Sequence, residues 1–377
     1  MKIVQAFLEK NLEWNYVVSK QELKNPFVLV FGNRQLLEDP KIIEKIRKEF
    51  PYEHLVFGST SGEIIDTNVI NNTVHITAIE FERSTFIIKN GNIKEYNLDV
   101  YQLGKKLSQD IPKEKLKHLI VISEGSFVNG NSLIAGIESI MLHNIPISGG
   151  ICGDDDRFQK TLASYKEDPK TGEVILIGLY GETLEISVAS HGGWLTFGPE
   201  RLITKSDANI LYEIDDKPAL ELYRKYLGDK ANELPKAALL YPLHVKAENK
   251  ERAVVRTVLN INEDNHSMTL AGDVPINSKV QLMMTSVDGL SEGAQKAAQE
   301  AMQNRINKPE FALLVSCIGR KLVMDQRVEE EIEEVKKTIG NQAVISGFYS
   351  YGEIAPFDRN TGCELHNQTM TLTLISE

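Results

Sequence analysis

Three stretches of the chain share one hydrophobic rhythm. The first reads PFVLVFG, then DPKIIEKIRKEF, then HLVFGSTSGEI. An apolar run is followed by a segment with Ile42, Ile43, Ile46 and Phe50 at helical spacing behind an Asp-Pro start, and then by a second apolar run. The next copy reads LKHLIVISEG, NSLIAGIESIML and IPISGGICGDDD, with Leu133, Ile137, Ile140 and Met141 as its stripe. The last reads EFALLVSCIG, RVEEEIEEVKKTIG and QAVISGFYSYGEI, with Val328, Ile332, Val335 and Ile339 on one face. Glutamates open that helix and lysines close it, as the helix dipole favours. Each copy predicts a strand, a helix and a second strand, which normally form a right-handed parallel crossover.

Alternating strand patterns follow each copy, in NTVHITAIEFERSTFII, EVILIGLYGETLEISVAS and QTMTLTLIS. Further hairpin signals lie in AVVRTVLNINEDNHSMTLAGDV and SKVQLMMTS, with turn chemistry at Glu263, Asp264 and Asn265. The expected fold is therefore α/β, with mixed sheets built from three β-α-β units and antiparallel hairpins, in two related lobes. Apolar density is weakest from Gly198 to Lys217, and a new helix begins at Pro218 and stops at Gly228. That places a boundary near residue 218, between domains at 25–217 and 218–377.

Composition narrows the function classes. With 377 residues, 42% of them hydrophobic, the chain is long enough to bury two cores. A formal charge of −11 supplies no basic field for nucleic acid or an anionic membrane. The densest basic stretch, Lys41, Lys45, Arg47 and Lys48, reads as a solvated helix face. MKIVQAFLEKNLEW is too charged for a signal peptide, and no apolar run approaches the ~18 residues of a membrane span, so a cytoplasmic location is expected. Cys152, Cys317 and Cys363 are odd in number and far apart, which makes neither a disulfide framework nor a metal-ligand spacing.

The candidate chemistry gathers where the second strand of each copy ends. GSTSGEI and GFYSYGEI both close on Gly-Glu-Ile, and the middle copy ends on Gly149, Gly150 and an Asp run. Glycine lets a backbone approach a ligand, and ligands collect at the carboxyl ends of parallel strands. The expectation is that the three loops converge, with Glu63 and Glu353 bordering one cavity. The candidate ligand-binding residues are Ser59, Thr60, Ser61, Gly62, Glu63, Gly149, Gly150, Asp154, Asp155, Cys317, Arg320, Tyr349, Tyr351, Gly352 and Glu353. Backbone amides and Arg320 would hold a carboxylate, the acidic residues an ammonium, and Tyr349 and Tyr351 would wall the remainder. Such a site suits an amino acid or similar zwitterion better than a plain anion.

Other readings stay open. Gly and Ser also permit tight turns without any ligand, and Asp154 to Asp156 lack the alternate spacing of a Ca²⁺ loop, so neither metal nor catalytic residues are assigned. Glu63 and Glu353 would make a general acid/base pair in an enzyme. GSTSG places Thr60 where a hydrolase elbow carries Ser, with no assignable partner. Cys317 beside Arg320 is either an activated thiol or a small buried side chain. His191 and His366 are the histidines to test as haem or metal ligands.

The motifs STSGEI, VNGNSLIAGIESI, SGGICGDDDRFQKT, HGGWLTFGP, ITKSDANILYEIDDKPALELYRKYLG, SCIGRKLVMDQRVEEEIEEV, GFYSYGEIAP and CELHNQTMTLT together resemble the FIST family. The resemblance runs from about Asn25 to Glu377, leaving the first 24 residues outside it. It implies a FIST N-terminal and a FIST C-terminal domain in a sensory module of signal transduction that binds small ligands such as amino acids, and a non-enzymatic sensor is the expected function. It further implies a histidine kinase, diguanylate cyclase or chemoreceptor as partner. Some members are haem-based nitric oxide sensors, which keeps haem as the alternative to a site without a cofactor. The chain resembles a stand-alone member, so its signal would leave through a separate partner.

Overall fold

The computed structural model describes residues 1–377 except 10, 142–144, 235, 249 and 359–360. It is a mixed α/β fold in two lobes, and the larger lobe holds all three repeats. Unit one comprises β1 (Lys2–Leu8), β2 (Phe27–Gly32), α1 (Pro40–Glu49), β3 (His54–Ser59), β4 (Glu63–Ile65) and β5 (Val74–Glu80). Unit two comprises β6 (Thr85–Asn92), α2 (Val100–Gln109), β7 (Leu116–Ser123), α3 (Gly130–Glu138), β8 (Ile147–Ile151), β9 (Ala163–Tyr165) and β10 (Glu173–Tyr180). Unit three opens with β11 (Glu185–His191), and the chain then leaves to build the smaller lobe.

That lobe contains β12 (Leu195–Asp207), β13 (Ile210–Ile214), α4 (Ala219–Leu227), β14 (Leu243–Lys246), β15 (Val254–Arg256), β16 (Val258–Asn262), β17 (Ser267–Leu270) and β18 (Lys279–Met284). Helix α4 stops at Gly228, and the β16–β17 hairpin turns at residues 263–266, as the sequence patterns predict. Unit three then resumes with α5 (Val287–Met302), β19 (Phe311–Cys317), α6 (Ile318–Met324), α7 (Glu329–Ile339), β20 (Val344–Ser350), β21 (Gly352–Pro356), β22 (Cys363–His366) and β23 (Met370–Ser376).

Each unit holds the expected parallel pair: β2 with β3, β7 with β8, and β19 with β20. Antiparallel β5, β10 and β23 flank the first strand of each pair, and are flanked in turn by β1, β6 and β11. The central strands are apolar throughout because both faces are covered. Leu29, Phe31, Ile120, Ile122, Leu313 and Val315 meet in a shared core. The intervening residues face helices: Val28 and Val30 meet α1, Leu119 and Val121 meet α2 and α3, and Ala312 and Leu314 meet α5 and α7.

The units also exchange strands in a cycle. β4 of unit one pairs with β20 of unit three, β21 of unit three pairs with β8 of unit two, and β9 of unit two pairs with β3 of unit one. Sheets therefore mix strands from both sides of residue 218. The smaller lobe connects to the larger at Gly193 and Thr285, whose Oγ1 donates to the Gly193 carbonyl at 2.8 Å. Across from this connection, buried Arg256 donates to the Leu365 carbonyl at 2.9 Å, and Arg252 pairs with Asp358 at 2.8 Å.

The close approach of paired backbones yields a test. Gly149 has φ +143°, and a Cβ there would lie 1.9 Å from the Val121 carbonyl oxygen. Gly149→Ala is expected to lower the unfolding free energy by about 3 kcal/mol or more, measured by chemical denaturation. A loss below about 0.5 kcal/mol would contradict the close β7–β8 packing.

Candidate functional site

The three strand-end loops meet in a closed ring of backbone hydrogen bonds. Ser61 donates its amide to the Tyr349 carbonyl at 2.8 Å, Tyr351 to Ile151 at 3.1 Å, and Gly153 to Ser59 at 2.9 Å. Donor and acceptor are two residues apart in every loop, so the loops occupy equivalent places. Convergence makes a packed knot: a Cβ on Gly153 would lie 2.3 Å from Ser61 Oγ. Gly150 and Gly352 pair in strands beside the knot, with Gly150 opposite Glu353 and Gly352 opposite Ile151.

Each corner glutamate is held within its own corner. Thr60 donates to Glu63 at 2.6 Å, and Ser350 donates to Glu353 at 2.6 Å. Glu353 also accepts the Thr369 amide and hydroxyl at 3.1 and 2.9 Å. Both carboxyls are fully buried, and desolvation pushes each up to about 8, so the neutral acid prevails at pH 7. Neither lines any of the grooves described below, because the loops themselves fill the space the cavity expectation assigned to them. The matching position in unit two is Ala163, opposite Gly58, reached after an excursion over residues 154–162.

Arg320 is wholly buried and satisfied from within. It donates to Glu331 Oε2 at 2.9 and 2.6 Å, to the Leu290 carbonyl at 2.9 Å, and to the Gly192 carbonyl. The other Glu331 oxygen accepts Tyr349 OH at 2.6 Å and Ser316 Oγ at 2.9 Å. Arg320 and Tyr349 thus brace α6, α7 and β20. Cys317 is buried beside them, and burial pushes its thiol well up. Cys152, Cys317 and Cys363 are all free and buried.

Asp154 accepts from Arg34 at 2.8 Å and from Arg157 at 2.9 Å, while Asp155 accepts from Asn33 at 3.0 Å. His366 is buried, its Nε2 is 3.0 Å from the Ala355 carbonyl, and burial holds its imidazole down to about 4. His191 Nδ1 accepts the Gly193 amide at 3.2 Å. Among the described residues no three His, Cys, Asp or Glu side chains are grouped to hold a metal ion.

One open groove lies beside the knot. A groove of about 270 Å³ separates the larger lobe from the smaller. Gly125, Ser126, Asn129 and Asn131 line it from the β7–α3 loop and the start of α3. Ile151 and Tyr351 come from two converging loops, Phe158 and Gln159 from the excursion, and Asn209, Leu259 and Leu270 from the smaller lobe. Asn129 caps α3 by accepting the Ser132 amide at 2.9 Å, which leaves the first helical amides outside the helix's own ladder. Glu124 holds the loop by accepting the Ser126 and Phe127 amides at 2.6 and 3.0 Å. Asn131 Oδ1 is buried and has no partner among the described residues.

The equivalent clefts of the other units are filled. At the end of β2, Asn33 and Arg34 hold Asp155 and Asp154. Beyond β19, Lys321 reaches the Ser61 carbonyl and Asn71. Of the residues expected to hold a ligand, Tyr351 lines the open groove and the others do not. SEGSFVNGN, a Gly- and Asn-rich passage between a strand and a helix start, is the readable signal for the groove-lining residues on α3. Nothing local marked Asn209 or Leu259.

The FIST N domain profile matches residues 26–217, and the FIST C domain profile matches residues 219–356. An uncharacterized protein of Methanocaldococcus jannaschii, MJ1623, is 32% identical over 89 residues, which span 22% of this chain and 16% of that protein. A crystal structure of chorismatase aligns over 100% of this chain and 98% of its own, with a TM-score of 0.35 and 8% identity. At that level neither fold detail nor activity carries over.

The buried acids give a pH signature. Their values of about 8 in the fold exceed the ordinary 4.5, so their contribution is full below about pH 4.5 and is lost as pH rises toward 8. Each group adds a slope of about 1.4 kcal/mol per pH unit in that window. Glu63→Gln/Glu353→Gln is expected to remove this slope, so its stability relative to wild type rises between pH 5 and pH 7.5 in urea titrations. An unchanged difference at the two pH values would mean that the carboxyls are ionised in the fold.

Proposed function

This chain belongs to the FIST family, its N and C domains together in one polypeptide, and from that premise we propose that it is a non-enzymatic small-ligand sensor whose binding site is the inter-lobe groove. FIST domains are associated with signal-transduction sensing. The observation that carries the reading is that the cleft of unit two is open while its counterparts in units one and three are occupied by the chain's own side chains.

An amino acid or similar zwitterion suits this groove without any charged contact. The leading amides of α3, at the positive end of its dipole, favour a carboxylate. Asn131 and Asn209 line the same groove, and their side-chain amides suit an ammonium donor. Ile151, Leu259, Leu270 and Leu365 supply apolar wall beside the polar Ser126, Gln159 and Asn209. The ionic contacts first assigned to Arg320, Glu63 and Glu353 are not needed, since those groups are satisfied inside the fold. A ligand touching both lobes would bias their relative position, and a separate histidine kinase, diguanylate cyclase or chemoreceptor would read the change.

Thermal-shift and calorimetric titration with amino acids, small peptides, dicarboxylates and haem tests the reading. A zwitterion at a hundredfold excess over Kd is expected to stabilise the protein by about 2.7 kcal/mol. Asn131→Ala should weaken that binding by about tenfold, the worth of one buried hydrogen bond. No response to any zwitterion beside a stoichiometric haem complex with a Soret band would overturn it.

A further inference from the structure

Phe158 holds an unfavourable position in two respects. Its φ is +50°, in the left-handed region that bulky side chains avoid, and the residue is 41% exposed. A neighbour holds the backbone in place. The Phe158 amide accepts no place in a helix or strand and instead donates to Tyr351 OH at 3.0 Å. Tyr351 OH in turn lies 3.3 Å from the Asp155 carbonyl. The two rings stack with centroids 4.5 Å apart and planes 18° apart, and both line the groove. The lining residues, among those described, include no acidic or basic side chain.

We infer that Phe158, backed by Tyr351, is a stacking platform, and that the ligand of this groove carries an uncharged planar ring. Stacking on Tyr351 covers part of the ring, but the part left exposed gains nothing for the free protein. A planar group laid against it recovers the exposed ring area and adds the offset-stacking preference of aromatic pairs. The absence of charged lining selects against a cationic or anionic ring, which would be desolvated without a partner. Resting on the zwitterion reading above, this narrows the class to aromatic amino acids and zwitterions of similar size with a planar neutral side group.

Calorimetry on the full chain with phenylalanine, tyrosine, tryptophan, leucine, isoleucine, methionine and indole tests the platform. Aromatic amino acids are expected to bind about 3- to 10-fold more tightly than the aliphatic ones. Phe158→Gly keeps a backbone suited to positive φ and removes the ring, so it should abolish that preference, while Phe158→Tyr should retain it. Phe158→Leu, which keeps an apolar side chain, should also lose it, and circular dichroism checks that each variant is folded. Equal binding of aliphatic and aromatic amino acids, or a preference that survives Phe158→Gly and Phe158→Leu, overturns the platform. Binding of indole without any amino acid keeps the platform and sinks the zwitterion reading. Binding of no planar compound at all overturns the platform.

Discussion

A parallel pair of strands leaves one edge with a row of unpaired amides and carbonyls, and that edge has to be covered. In each repeat of this protein the uncovered edge is the second strand of the crossover, β3, β8 or β20. Each is completed by a short strand from another repeat, and the three exchanges close into a cycle. The requirement is local, but its solution ties residues nearly three hundred positions apart. The loop that launches each exchanged strand is thereby drawn to a common point, where three backbone hydrogen bonds close the ring. The buried glutamates of two loops are each held within their own corner.

The site arises where this threefold order is broken. Unit two carries an excursion over residues 154–162 that the other two corners lack. Its aspartates fill the cleft of unit one, and its Phe158 stands at the cleft of unit two. Unit three carries the smaller lobe as an insertion between β11 and α5, and that lobe supplies the far wall through Asn209, Leu259 and Leu270. The groove thus combines a strand-end position, where parallel sheets place ligands, with an inter-lobe position, where a ligand can couple to motion.

Ile42, Ile43 and Ile46 lie on the buried face of α1, and Ile332, Val335 and Ile339 on that of α7, as their spacing requires. The stripe of α3 is Leu133, Ile134 and Ile137, because the helix ends at Glu138 before reaching Ile140. The corners were visible as repeated Gly-Glu-Ile, yet their chemistry was not. A Glu in a Gly-rich turn has the same local signature whether it faces a ligand or a Thr hydroxyl. Arg320 was visible beside Cys317, but its partner Glu331 is one of several glutamates opening α7, and nothing in EEEIEEV singles it out. Burial decides among them, and burial is a property of the assembled sheets.

Local pattern is enough to set the elements: three crossovers, their apolar faces, the hairpins and the turns between them. Those follow from periods of two and 3.6 residues and from turn sterics, which act over about ten residues and need no distant partner. Tertiary structure alone decided which edge each short strand completes, which carboxyls lose their charge and which of three equivalent clefts stays open. These depend on what lies within a few ångströms in space, and here the neighbours that matter come from other repeats and from an inserted lobe.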